Sequence, residues 1–136
     1  MINQALNTTR RTALHLLGLA LQELFPKTLL LDGEVTPLGF YFDVIPHRND
    51  KLIPEVVEEK FREIILKNLE ITKIEMLGKV AIEFFLHHQK KQEAESLHGF
   101  EDHLIELIRV DTYTALCPGS ILTSHLRVRV CELGLV

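Results

Sequence analysis

Cysteines are few in this chain and basic residues do not outnumber acidic ones, and each shortage excludes a class of protein. The 136 residues contain two cysteines, Cys117 and Cys131, and no Cys-x-x-Cys pair. Neither a disulfide-rich scaffold nor a structural zinc site built from cysteines is therefore expected. The net charge of −4 excludes the broadly basic surface of a high-pI nucleic-acid-binding protein, so any RNA contact must be local.

Long apolar runs are also missing. The longest ones, residues 13–21 and 28–31, fall far short of the roughly 20 residues that a bilayer span needs. The N-terminal residues lack the order of charged start, apolar core and small-residue cleavage site that marks a secretory signal. We therefore expect no membrane insertion and a cytoplasmic protein whose cysteines stay reduced.

The residues that are present predict one domain over residues 1–136. Hydrophobic residues make up 46% of the chain, which is enough for a single core at this length. Apolar residues at three- and four-residue spacing predict a helix over residues 8–24, which Pro26 ends. Strands follow over residues 29–35 and 40–45, joined by a turn at Thr36-Pro37-Leu38-Gly39.

The second half of the chain predicts two further helices and three strands. A helix that begins near Pro54 has an apolar inner face made of Ile53, Val56, Val57, Phe61, Ile64 and Ile65. A strand over residues 70–75 precedes a helix over residues 78–88, whose inward residues are Val80, Ala81, Phe84 and Phe85. Residues 104–110 and 126–131 alternate as half-buried strands do, with a turn at Cys117-Pro118-Gly119 between them. This order predicts an α+β fold with a mostly antiparallel sheet.

Four segments, in order, resemble the editing-type domain shared by threonyl- and alanyl-tRNA synthetases, and the threonyl version more than the alanyl one. The first joins a helix containing His15-Leu16-Leu17-Gly18 to Leu24-Phe25-Pro26. The others are Gly39-Phe40-Tyr41-Phe42-Asp43, Ala81-Ile82-Glu83-Phe84-Phe85 and Leu116-Cys117-Pro118-Gly119. Together they extend from about residue 8 to the last predicted strand. The chain thus resembles a stand-alone copy of that domain.

The resemblance implies a fold and a chemistry. The fold is a mostly antiparallel sheet packed against a long central helix, with a cleft that receives the 3′ end of tRNA. In that cleft the threonyl enzyme hydrolyses the ester that joins serine to threonine tRNA, which requires an activated water and donors for the developing oxyanion. Six polar positions supply these groups: two helix histidines, an Asp, a Cys and a His on the turn, and a Lys after the third helix. The alanyl branch holds a zinc ion instead.

Two of these six positions are kept, namely His15 and Cys117. The other four carry different residues: Arg11 at the first helix histidine, Ala115 at the aspartate, Ile121 at the closing histidine and Glu93 at the lysine. A shift of two residues would let Lys91 serve as that lysine. Two ligands are too few for a catalytic zinc, which usually has three, so no metal and no other cofactor is predicted.

Several interpretations stay open at single residues. His125 could replace the lost histidine, or Cys117 and His15 could form a nucleophile–base dyad. A histidine such as His15 on an apolar helix face is more often a satisfied core or rim residue than a ligand. The basic residues Arg10, Arg11, Lys90, Lys91, Arg127 and Arg129 are candidates for RNA contact if they share a groove, although a charged run such as Lys90-Lys91 is also typical of a solvated surface.

These observations lead to three hypotheses. The first is a pseudoenzyme, a catalytically degenerate editing-domain homologue that binds tRNA, other RNA or a translation-related protein. The second is a trans-acting aminoacyl-tRNA ester hydrolase that clears mischarged tRNA through His15 and Cys117. The third is a dimerisation module or synthetase accessory subunit. The loss of four polar positions favours the first.

Overall fold

The computed structural model describes residues 4–116 of the chain. Four helices and five strands follow one another in this range. They are α1 (Gln4–Leu24), β1 (Leu29–Thr36), β2 (Gly39–Ile45), α2 (Pro54–Leu66), β3 (Ile71–Leu77), α3 (Gly78–His87), α4 (Lys91–Ser96), β4 (Leu104–Val110) and β5 (Tyr113–Leu116). None of the helices between residues 4 and 116 is long and apolar enough to cross a membrane.

The α+β class with antiparallel strands is confirmed, with one correction. Within the described residues the strands form two small sheets, not one: β1 pairs with β2, and β3, β4 and β5 form a second sheet in that order. All three strand pairs are antiparallel. Since β1 and β2 make no ladder with the second sheet, the two sheets are joined through side chains packed on α1, which contacts elements of both.

Helix α1 is covered on every side along its second half. All residues from 12 to 21 are buried, including the predicted inner positions Ala13, Leu16, Leu17 and Ala20. The main core cluster joins this stretch to α2, through Val57, Phe61, Ile64 and Ile65, and to β3, β4 and β5. A helix that is apolar almost all round can be stable only when it is enclosed in this way.

The three-stranded sheet has an apolar layer on each face. Ile108 and Val110 of β4 belong to the core cluster of α1 and α2. Their neighbour Leu107 points the other way, toward Ala81 and Phe85 of α3, because successive side chains alternate across a strand. Strand β5 therefore turns one face toward α1 and the other toward α3 and α4.

Several sequence-based predictions need correction. Helix α4 and strand β5 were not predicted, and the turn that precedes β5 is at Asp111-Thr112, where Asp111 adopts a φ of 52°. The turn expected at Cys117-Pro118-Gly119 and the strand over residues 126–131 lie outside the described residues. Three residues assigned to inner faces are exposed, namely Ile53 (47%), Val56 (43%) and Val80 (46%). They sit at or near the first turns of α2 and α3.

Candidate functional site

His15 is the centre of the candidate site because, of the two positions predicted to be retained, it is the one within the described residues. Its side chain is 5% exposed and its ring lies 6.2 Å from the ring of Tyr113, tilted by 56°. Neither ring nitrogen has a hydrogen-bond partner among the residues that the structure describes. The helix period puts His15 on the face of α1 turned toward β5, and β5 supplies Tyr113.

Tyr113 approaches α1 closely because residue 18 has no side chain. A Cβ built on Gly18 would lie 2.5 Å from Tyr113 Cζ and 2.6 Å from Tyr113 Oη. The ring thus occupies space along α1, one turn beyond His15, that any other residue at position 18 would fill. Burial raises the pKa of Tyr113 above its ordinary value, so its hydroxyl stays protonated at neutral pH and is no base.

Lys90, in the segment that joins α3 to α4, completes the cluster. Its ammonium nitrogen lies 4.7 Å from the centroid of the Tyr113 ring and donates a hydrogen bond to the carbonyl oxygen of Thr114 at 2.6 Å. Both contacts favour a cation held against an aromatic face. Burial lowers the pKa of Lys90, and the nearby Glu93 carboxylate opposes that shift.

The lysine that reaches the cluster is therefore Lys90, not Lys91. Lys91 is exposed, and Glu93 is half-buried at the start of α4. Gln89, with a φ of 61°, lets the chain leave α3 in the left-handed conformation. The amide of Lys90 then donates to the carbonyl of Phe85, which turns its side chain back toward β5.

His15 is held in its neutral form. Burial, and to a smaller extent the positive charge of Lys90, lower its pKa from 6.5 to about 4. A general base works best with a pKa near the operating pH and with access to water. A sealed imidazole with a pKa of about 4 meets neither condition.

The described residues do not fit a metal ion either. Between residues 4 and 116 there is no group of three His, Cys, Asp or Glu side chains that could hold one. Arg11 stays protonated and cannot ligate. Ala115, at the position where the resemblance predicts an aspartate, offers a methyl group and packs against the main core. A catalytic zinc needs about three protein ligands, and the described part of the cluster offers one.

The remaining predicted site residues divide into two groups. Cys117, Ile121, His125, Arg127 and Arg129 lie outside the described residues, so the Cys117–His15 dyad and the replacement by His125 remain predictions. Arg11 is half-buried one turn before His15.

The basic side chains proposed for RNA contact differ in whether intramolecular hydrogen bonds already hold them. One guanidinium nitrogen of Arg10, Nη1, donates to the carbonyl oxygens of Thr36 and Pro37, each at 3.0 Å, which ties α1 to the β1–β2 turn. Lys90 is engaged as described above, whereas Lys91 is exposed. Intramolecular bonds therefore hold two of these candidates in fixed positions.

Sequence reasoning missed Tyr113 and the true position of Lys90. Tyr113 follows a two-residue turn without glycine, so no strong turn residue marked the start of β5. The available signal was the apolar alternation of residues 104–110 resuming directly after Asp111-Thr112. Nothing in the local sequence distinguishes Lys90 from Lys91, because the choice depends on contacts with β5.

Comparison with known proteins identifies relatives of this sequence. No protein-family model matches the chain. Threonine–tRNA ligase from Lawsonia intracellularis is 31% identical over 117 residues, which cover 84% of this chain and 18% of the ligase. The threonine–tRNA ligase from Polynucleobacter necessarius is 32% identical over 136 aligned residues, which cover 96% of this chain and 21% of the ligase. The one from Granulibacter bethesdensis is 34% identical over 119 residues, which cover 85% of this chain and 18% of the ligase. The chain thus spans about a fifth of the length of these ligases.

Proposed function

We propose that this chain, which is related to one segment of threonine–tRNA ligases, is a catalytically degenerate editing-type domain that binds tRNA. In this proposal residues 1–136 form one domain, α1 is its long central helix, and the protein acts in the cytoplasm. The proposal has two halves, the loss of hydrolysis and the retention of RNA binding, and each needs its own test.

The environment of His15 is the observation that carries the first half. Ester hydrolysis requires a base that water can reach and donors placed at the developing oxyanion. His15 is buried with a pKa of about 4 and is packed against Tyr113. At the neighbouring family positions, the Arg11 guanidinium cannot act as a base at neutral pH, and Ala115 has no polar atom. These features support a pocket that has lost its chemistry.

The second half draws on the relatives and on local charge. The matched proteins are ligases of threonine and tRNA by name, and the chain keeps their segment over 84–96% of its length. Because the net charge of the chain is −4, RNA binding must use local basic residues. The candidates are Arg11 and Lys91, together with Arg127 and Arg129. Binding through phosphate contacts weakens steeply with salt.

A filter-binding assay with threonine tRNA and total tRNA, repeated at several salt concentrations, tests the RNA half. We expect affinity that falls as salt rises, and weaker binding in the double variant Arg127→Gln/Arg129→Gln. Lys73→Gln, which removes an exposed lysine of β3 that is not one of the candidates, is the matched control. Absent binding, or affinity that does not respond to salt, would contradict this half.

Release of serine from seryl-tRNA specific for threonine tests the catalytic half. We expect that the full chain does not release serine from this tRNA faster than the spontaneous rate. Turnover that disappears in Cys117→Ala would overturn the proposal and establish the trans-acting hydrolase in its place.

A dimerisation or accessory-subunit role is the second candidate, because apolar side chains are exposed on one hairpin. Leu29 of β1 and Ile45 of β2 are directly paired in the ladder and both are exposed. Light scattering of the full chain measures its mass, and co-purification with the synthetase measures association. A stable dimer that Ile45→Ser converts to a monomer, without tRNA binding, would favour this candidate over the first.

A further inference from the structure

A cleft of about 280 Å³ opens where α1 ends and β1 begins, facing the segment that joins α3 to α4. Six side chains that carry nitrogen line it: Gln22, Lys27, His47, His88, Gln89 and Lys90. No aspartate or glutamate of the described residues is part of the lining. The cleft is separate from the His15 cluster, and Lys90 is the residue that the two share.

The charge of this lining is opposite to that of the whole chain. Acidic residues outnumber lysine and arginine by 19 to 15, yet both charged residues that line the cleft are lysines. A concave surface with charges of one sign concentrates ions of the other sign. The occupant that fits is an anion.

Unused hydrogen-bond donors point to an oxyanion. The ammonium of Lys90 has three hydrogens, and one is used on the carbonyl of Thr114. Nδ1 of His88 lies 2.9 Å from the carbonyl oxygen of Phe84, so it carries the hydrogen, and the unprotonated Nε2 can accept the O–H of a hydrogen phosphate group. Lys27 is exposed at the rim.

Two carboxylates lie behind this lining without entering it. Asp50 accepts a hydrogen bond from the hydroxyl of Thr28 at 2.7 Å. Glu93 acts on Lys90 and opposes the lowering of its pKa. The negative charge of both carboxylates opposes the binding of an anion, so the bound anion must carry more than one oxygen and accept several charge-assisted bonds at once.

We infer that this cleft binds a phosphate group, held by Lys27, Lys90 and His88. Its volume lies just below the range of about 300–1,000 Å³ that is typical of small-molecule pockets, so it accommodates a phosphate with little else attached. The phosphate can come from an RNA backbone or from free phosphate. The RNA source rests on the proposed function, whereas the phosphate site itself does not.

Titration of the ¹⁵N-labelled full chain with inorganic phosphate, at constant ionic strength balanced with chloride, tests the site by NMR. We expect saturable shifts of the amides of residues 27–30, 47 and 88–90. The exposed double variant Lys27→Gln/His88→Gln should bind about tenfold more weakly or worse, because it loses the charge-assisted bond from Lys27 and the hydrogen bond accepted by His88. Lys73→Gln should bind as the unmodified chain does. A second titration uses a short single-stranded RNA in place of inorganic phosphate.

The outcomes separate the two claims. Absence of saturable shifts at these residues, or equal affinity in the double variant, would overturn the phosphate site. RNA binding that leaves the cleft amides unmoved would overturn the RNA backbone as the source of the phosphate, while the proposed function would stand. Phosphate binding without RNA binding would support the site and contradict the RNA half of the proposed function.

Discussion

Replacing His15 by leucine should remove a large part of the acid sensitivity of this protein. Leucine keeps an apolar side chain of comparable size in the buried stretch of α1, and it eliminates two ring nitrogens that have no partner among the described residues. An unpaired buried polar atom costs about 1–3 kcal/mol. The variant should therefore be at least as stable as the unmodified chain at pH 7.

The pH dependence follows from the pKa of His15. In the folded chain it is about 4, below the 6.5 of a free histidine, so as the pH falls the unfolded chain takes up a proton first. Protonation then favours unfolding, and the loss begins near pH 6.5 and levels off below pH 4. Linkage gives a loss of about 2 kcal/mol between pH 7 and pH 5, approaching about 3 kcal/mol near pH 4.

Urea unfolding of both proteins at several pH values between 5 and 8 measures this difference directly. Groups other than His15 titrate in both proteins, so the difference between the two curves isolates its contribution. His98→Gln, at an exposed histidine, is the matched control and should follow the unmodified chain. Parallel curves for His15→Leu and the unmodified chain would show that His15 is not sealed, and the argument against its acting as a base would fail.

Three other substitutions test the contacts around α1. Gly18→Ala should gain about 1 kcal/mol of stability from helix propensity but lose about 1–3 kcal/mol through overpacking against Tyr113. Thermal unfolding should show a net destabilisation, which the second substitution Tyr113→Leu largely relieves. An increase in stability would contradict this contact. Lys90→Met should raise the pKa of His15, measured by NMR titration, because the charge of Lys90 helps to lower it; an unchanged pKa would refute that coupling. Arg10→Met should destabilise the chain by about 1 kcal/mol and speed amide hydrogen exchange in the β1–β2 turn, and unaltered exchange would show that the guanidinium does not hold this turn.

Local patterns predicted most of the elements between residues 4 and 116. The first helix, the β1–β2 hairpin with its turn, α2, β3, α3 and β4 all follow from apolar spacing and from Pro or Gly at their ends. Helix α4 has only six residues and β5 only four, too few for a period to emerge. Exposed Val56 and Val80 show a second limit: a period identifies a face but not how far the neighbouring element extends over it.

The candidate site divides in the same way. The sequence by itself determined that neither Arg11 nor Ala115 can ligate a metal ion or take up a proton at neutral pH, because those properties belong to the residue type. Only the tertiary structure decided that His15 is sealed, that Lys90 and not its neighbour reaches Tyr113, and that Arg10 holds a turn. Burial, pKa and pairing depend on residues far away in the chain, and only folding brings those residues together.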